Sequence, residues 1–516
     1  MTTTVDTRHG SAGATALTTS SRARRCSAPA GARGPPPVSI LGTVARDKIP
    51  TSRVGRTARI GGLAAGQAMR QAGTHAANVA RTKEGRDAAL ERRHVEAAEQ
   101  IVAALGTMKG AAMKLGQVMS FLDVGLVPEE YREEFQRKLG ALRDAAPTVT
   151  FKDMRKVIED EFEQPVQEVF EEFDEEPIAA ASIGQVYRAT LAGGRRVAVK
   201  VQYPGVAAAV RADMQNLGLI LRLAKRIAPG IDPKAIGQEI AERIHEELDY
   251  ELEAQNQRAL ARIFRGHPFI VVPDVITRLS RERVLVTEFV HGTGFEELKG
   301  YPQAQRDRIG EILFRFYFGC LYRHQQFSGD PHPGNSMVLD DGRVAFFDFG
   351  LFKRMPPGSV ELEIAAQRAV IEGDTETIMR LGADTGLFPE PEKFKPARVL
   401  KHFRAATSWY TVDEYVELTP EWATRVMIDM GDPRSEYFGQ MRHESAPPDH
   451  IFGRRMEVLT LAVIAQLHAR GNFHRIAREW FYGEEPETEL GRQEAAFYAR
   501  GAAWQLGGKG AQSRRR

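Results

Sequence analysis

The segment from Asp330 to Gly350 restricts what this chain can fold into more than any other, because its residue order dictates a strand register. It runs Asp330-Pro-His-Pro-Gly-Asn335, continues through two apolar runs around Asp341-Gly342, and closes on Asp348-Phe349-Gly350. An Asp-Gly pair between such runs signals a two-residue type I′ hairpin, in which both central residues take positive φ. If Asp340 faces Arg343, then Leu339 faces Val344, Met337 faces Phe346, and Asn335 falls opposite Asp348. Directly opposed side chains share a face, with Cβ atoms roughly 4.5–5.5 Å apart. An amide oxygen and a carboxylate at that separation are hard ligands for magnesium, which takes one or two protein oxygens and completes its shell with phosphates and water. Asp330 sits at the edge of the same site, where its carboxylate can accept a hydroxyl proton. Taken separately, the two halves would read as a proline-rich turn and a helix N-cap; the closing register makes a metal site the better reading. His332 reads as a turn residue.

Upstream, the strand Arg195 to Val201 contains Val197-Ala198-Val199-Lys200, which puts Lys200 on the face opposite Val199, able to reach phosphates beneath a sheet. A partner strand, Gln185 to Leu191, precedes it across the tight Ala192-Gly193-Gly194 connection. Such a lysine needs a carboxylate. The acidic helical run from Glu247 to Glu253 offers several, with Asp249 and Glu253 on one face at i,i+4. By itself such a run is a solvated helix face. A further strand, Arg283 to Val290, leads to His291-Gly292, where Glu288 and Val290 are candidates for holding a nucleobase through backbone groups.

The remaining features set limits. A chain of 516 residues, 42% hydrophobic and 27% charged, can build two or three packed lobes. A net charge of +2 gives no global case for nucleic-acid binding. Cys26 and Cys320 support neither a disulfide framework nor a zinc site, which makes a reducing, cytoplasmic setting the default. No run reaches the roughly 18 uninterrupted apolar residues of a membrane span. Residues 1–58 hold Asp6 and Asp47 as their only acids, the composition of a disordered tail or a transit peptide; the tail is preferred because no amphipathic stripe opens it. From Thr82 to Leu122, Ile101, Leu105, Met108, Ala112, Leu115 and Met119 form one helical stripe. A short helix is expected from Phe151 to Glu161, others at about 206–227 and 233–264, and a mainly helical remainder after Tyr301.

Lysine strand, acidic helix, hinge-like strand, catalytic loop and metal aspartate follow in the order of a protein kinase. Two features separate the chain from ordinary kinases. Ala179-Ala-Ala-Ser-Ile-Gly-Gln-Val186 stands where a glycine-rich phosphate loop would be, and Lys114-Leu-Gly-Gln117 lies on the long upstream helix. With Glu247-Leu-Asp249 and Asp330 to Gly334, these resemble the alanine-rich loop and the KxGQ, ExD and D-P-H-P-G motifs of the UbiB/AarF atypical kinases, the coenzyme Q kinase-like family, over about residues 82–360. The resemblance implies an α+β, bilobal protein-kinase-like fold: a small mixed lobe, a mainly helical large lobe, and helical N-terminal and C-terminal extensions. The divisions would be a tail at 1–58, an extension at 59–150, the small lobe at 151–292, the catalytic and metal-binding part at 293–360, helices at 361–505 and a basic tail at 506–516.

The same resemblance implies ATP or ADP with Mg2+ as cofactors. Lys200 and Glu253 would pair on the phosphates, Asp330 would be the base, and Asn335 and Asp348 the metal ligands. Ala179, Ala180, Ala181, Ser182, Ile183, Gly184 and Val186 would surround the nucleotide together with Glu288 and Val290, and Lys114 and Gln117 would face Glu247 and Asp249 as regulatory residues. The implied activity is ATP hydrolysis or phosphotransfer to a small-molecule or lipid acceptor in isoprenoid lipid or quinone metabolism. Peripheral membrane contact, no nucleic-acid partner, and an organelle address only if the tail is a transit peptide go with it. Ser328-Gly329 depart from the alanine many relatives carry there, and polar and basic helices end the chain where some bacterial relatives have membrane spans. The catalytic loop also resembles that of choline and aminoglycoside kinases, against which the Lys114 motif argues. A nucleotide-sensing scaffold, the third reading, would have no need of Asp330.

Overall fold

The computed structural model describes residues 149–181, 183–211, 246, 248–431, 443–445 and 448–512. Lys114, Gln117, Ser182 and Glu247 lie outside them, as do the tail, the helix expected from Thr82 to Leu122, and much of those expected at 206–227 and 233–264.

The small lobe is built on an antiparallel sheet. Strands β3 (Gly184–Leu191) and β4 (Arg195–Gln202) pair from Gly184 opposite Gln202 to Leu191 opposite Arg195. The connection between them carries Gly193 and Gly194 at φ of 91° and 79°, a conformation other residues adopt only with strain. On the outer edge of β3, β1 (Glu172–Phe173) takes one end and β2 (Ala179–Ala181) the other. Alternation along β4 buries Val197, Val199 and Val201 completely against Met154, Val157 and Ile158 of helix α1 (Phe151–Phe162). Ala198 and Lys200 therefore occupy the other face.

Helix α2 (Tyr250–Ile263) crosses behind that face. It starts where it does because Asp249 is its N-cap, the carboxylate accepting from the amides of Glu251 and Leu252 at 2.9 and 3.1 Å. Asp249, expected to share a helix face with Glu253, turns its carboxylate back onto its own helix end. After β5 (Ile270–Val271), strand β6 (Val284–Glu288) closes the sheet beside β4, Val199 opposite Val286.

The large lobe forms around α3 (Gln303–Tyr322), buried from Ile312 through Tyr322 by its own aromatic run and its surroundings. From Ile312 on the helix is buried on every side, with Arg315 inside it paired to Glu311, Glu479 and Glu494, and it becomes the axis of the lobe. Around it stand α4 (Ser359–Glu372), α5 (Thr375–Asp384), α6 (Pro396–Thr411), α7 (Pro420–Gly431), α8 (Pro448–Gln466), α9 (Phe473–Phe481) and α10 (Glu489–Gln512). Above α3 lies a small sheet in which β7 (Gly292–Gly294), β9 (Ser336–Leu339) and β10 (Val344–Phe346) neighbour one another in the order β7-β9-β10, with β5 parallel on the far side of β10. The pair β8 (Gln326–Ser328) and β11 (Phe352–Arg354) flanks the chain where it enters and leaves this hairpin.

Candidate active site

The site lies between the lobes, and its firmest contact is the one between β4 and α2. The Lys200 ammonium stands 2.8 and 3.0 Å from the two carboxylate oxygens of Glu253 and 3.4 Å from Oδ2 of Asp348. The Tyr250 ring lies 5.0 Å beneath it. The Glu253 side chain is 3% exposed and that of Lys200 15%, so this pair is shielded from bulk water. Burial alone would lower the lysine pKa, but the Asp348 and Glu253 carboxylates outweigh it and hold the group well above its ordinary value. Lys200 is a fixed cation.

The catalytic hairpin differs from the register read in the sequence. Val344 pairs with Val338, Ala345 with Met337 and Phe346 with Ser336, one residue out of step with the expected pairing. The turn spans three residues: the Leu339 amide bonds the Arg343 carbonyl at 2.8 Å, and of Asp341 and Gly342 only Gly342 has positive φ. An Asp-Gly pair serves this three-residue turn as well as type I′, since either needs a left-handed residue where the glycine stands. In consequence Asn335 faces Phe347, whose amide bonds its carbonyl at 2.9 Å, and does not face Asp348. A slip of one residue sends a side chain to the opposite face. Asp348 reaches the site nonetheless because its own backbone is left-handed, φ 61°, which re-aims the carboxylate toward Lys200. Its Oδ1 accepts from the Gly350 amide at 3.2 Å.

Asp330 and Asn335 are joined through the loop itself: the Asn335 amide nitrogen donates to the Asp330 carbonyl at 3.0 Å. His332 caps the short turn after it, Nδ1 accepting from the Gly334 amide at 3.0 Å. Oδ1 of Asp330 accepts from Arg455 of α8 at 3.1 Å, with both side chains largely buried.

Lys200, Glu253, Asp330, His332, Asn335 and Asp348 open into one cleft of about 1200 Å³, large enough for a nucleotide and a second molecule. Ala179, Ala180, Ala181 and Val186 line it above, Glu288 and Val290 along the hinge, and Leu459, Ala462 and Val463 of α8 below. Ile183 and Gly184 do not. Ile183 is buried in the small-lobe core, and a Cβ on Gly184 would lie 2.2 Å from the Val201 carbonyl oxygen, so this glycine serves close strand packing and not the approach of a phosphate. The Glu288 side chain is engaged by Arg195 at 2.7 Å and by the Asp274 amide at 3.2 Å.

Residues 141–382, which hold the alanine hairpin, Lys200, Glu253 and the whole catalytic hairpin, match the model of the ABC1 atypical kinase-like domain. A Mycobacterium tuberculosis protein, Rv3197, solved as a complex with erythromycin, superimposes with a TM-score of 0.56 at 30% identity, covering 77% of this chain and 98% of that one. The chain belongs to the ABC1 (UbiB/AarF) atypical kinase-like family. Within it, the Caenorhabditis elegans atypical kinase coq-8, mitochondrial, is 27% identical over 85% of this chain and 59% of its own length. Rat atypical kinase COQ8B, mitochondrial, is 31% identical over 65% of this chain and 63% of its own. This chain therefore spans about three fifths of those relatives.

The family's metal chemistry fits the residues present. Among the described residues no three His, Cys, Asp or Glu side chains gather into a cage. Asn335 and Asp348 instead supply two oxygen donors beside an open cleft, the sparse protein coordination magnesium accepts when phosphates and water fill the other positions. Arg455 was not foreseen. It lies 125 residues from Asp330 and beyond the matched domain, and nothing in the local pattern of α8 marks it.

Proposed function

We propose that this protein binds magnesium nucleotide in the cleft and catalyses phosphoryl transfer from ATP, to water or to a small-molecule or lipid hydroxyl, in support of quinone or isoprenoid lipid metabolism. The observation that carries this reading is the convergence of Lys200, Glu253 and Asp348 within 3.4 Å of one ammonium, at the mouth of a cleft that also holds Asp330 and Asn335. Glu253 holds Lys200 extended and charged, to bond the α- and β-phosphates. Asn335 and Asp348 would hold magnesium, which when bound would supply positive charge to the phosphate oxygens. Asp330 takes the proton of the attacking hydroxyl as its oxygen bonds to the γ-phosphorus, and the bond to the β-phosphate oxygen breaks with its electrons leaving on ADP. The backbone of the alanine hairpin and the hinge segment from Glu288 to Val290 enclose the base and sugar. The mitochondrial relatives named atypical kinase coq-8 and atypical kinase COQ8B support the metabolic assignment.

One contact favours a second reading, a nucleotide-sensing scaffold: Arg455 occupies an oxygen of the base. Phosphate release from magnesium ATP separates the two, compared for the parent and Asp348→Asn, with and without anionic vesicles and a phenolic small molecule. Turnover abolished by the substitution is expected. Nucleotide binding without Asp348-dependent turnover under any of these conditions would refute the enzyme reading in favour of the scaffold.

A further inference from the structure

Helix α2 presents polar side chains to a buried interface where apolar ones would be cheaper. Glu253, Asn256 and Gln257 are 2%, 2% and 4% exposed. Burying an amide costs about 1–3 kcal/mol unless its donors and acceptor are used. Glu253 holds Lys200, and Gln257 donates to the Pro273 carbonyl at 2.7 Å, tying the helix to the chain that leads into β6. Asn256 is used at both ends. Its amide nitrogen donates to the carbonyl of Phe349 at 3.2 Å, and its amide oxygen accepts from Arg354 at 3.0 Å.

Those two partners bracket the turn that follows the metal aspartate. Phe349 is the next residue after Asp348, and Arg354 ends β11, the strand into which the turn runs. The Asp348 backbone is left-handed, a conformation that costs a non-glycine residue on the order of 1 kcal/mol and persists only where its surroundings impose it. On the side of that peptide facing α2, the imposing group is Asn256. Residues 253 and 256 are three apart on one helix, hence neighbours on one face. The same rigid face thus sets the place of the lysine partner and the place of the metal aspartate.

We propose that Asn256 is a positioning residue for the metal site: its amide locks the Asp348-Phe349-Gly350 turn to the helix that carries Glu253, and so fixes the separation of the Asp348 carboxylate from Lys200 and Asn335. The inference rests on the magnesium-nucleotide reading above. Packing alone would be met by leucine, which fills nearly the same space and forms neither bond.

The test is magnesium titration of the binding of a fluorescent ADP analogue, with deuterium uptake of the peptide around residues 346–352 as a second readout. Asn256→Leu removes both bonds. Asn256→Asp keeps the shape and the Arg354 bond, and replaces only the donor to Phe349 by an oxygen that repels it. In both, the magnesium-dependent part of nucleotide affinity should weaken roughly 10- to 100-fold, the range found when groups supporting a metal ligand are removed. Magnesium-free binding should stay at the parent's level, and the turn should exchange faster. A folded Asn256→Asp protein with the parent's magnesium dependence and exchange would overturn this inference alone, whether or not the leucine variant folds. A parent that binds the analogue with no magnesium dependence would overturn the reading beneath it, and this inference with it.

Discussion

Replacing Lys200 by methionine should destabilise the small lobe by about 3 kcal/mol near pH 7.5, an effect separate from any loss of activity. The substitution leaves the Glu253 carboxylate, 3% exposed, without its cation. Removing one partner of a buried ion pair costs about 3–5 kcal/mol, because a lone charge is then held away from water. The lower end applies here: Asp348, on the cleft side, is 35% exposed, so water reaches the site and screens it. Lys200→Met with Glu253→Gln removes both charges and should recover most of the loss. Native-state hydrogen exchange of the β3–β4 amides reads the local free energy directly. Protection in Lys200→Met equal to the parent's at pH 7.5, or no better in the double variant, would refute the claim that this pair is buried and mutually dependent.

Gly184→Ala should cost at least about 1–3 kcal/mol by the same exchange measurement, since the added methyl meets a strand carbonyl that cannot move without opening the β3–β4 ladder; unchanged protection would refute the close packing. Arg455→Met should lower magnesium-ATP turnover about tenfold or more, short of the roughly 100- to 10,000-fold that loss of a general base itself costs, and leave nucleotide affinity intact; an equal loss of affinity would make its role purely architectural. His324 and His402 are pushed down to about 4, by burial first and by neighbouring arginine second, so each is neutral when folded and takes a proton on unfolding below about pH 6.5. Stability should therefore fall between pH 6.5 and 4, by up to roughly 3 kcal/mol for each histidine, and His324→Phe should flatten that dependence in urea unfolding.

What could be read from the sequence was whatever chain order or strand alternation encodes. Lys200 lies on the cleft face because β4 alternates, and Glu253 is its partner because an acidic helix follows the lysine strand in kinase order. The hairpin was visible, but its register was not. Asp341-Gly342 is compatible with two turns that differ by one residue, and the compensating left-handed backbone at Asp348 depends on tertiary contacts that leave no local trace. Asp249 was ambiguous for a different reason: an acid at the start of a helix can face a partner or cap the helix end, and only the position of the first turn decides. Gly184 looked like part of a phosphate loop, because a glycine needed for close strand approach and one needed for a ligand are the same residue in a sequence.

The contact between Asp330 and Arg455 has a practical side. Cutting the protein to the residues that match the family domain, 141–382, would keep the alanine hairpin, Lys200, Glu253 and the Asp330–Gly350 segment, and discard the Lys114–Gln117 motif, the α8 wall of the cleft and the arginine that meets Asp330. The recognisable unit and the working unit are of different lengths. A test of the proposed turnover in another host, or of its graft onto another protein, needs the chain at least through Gln466, where α8 ends.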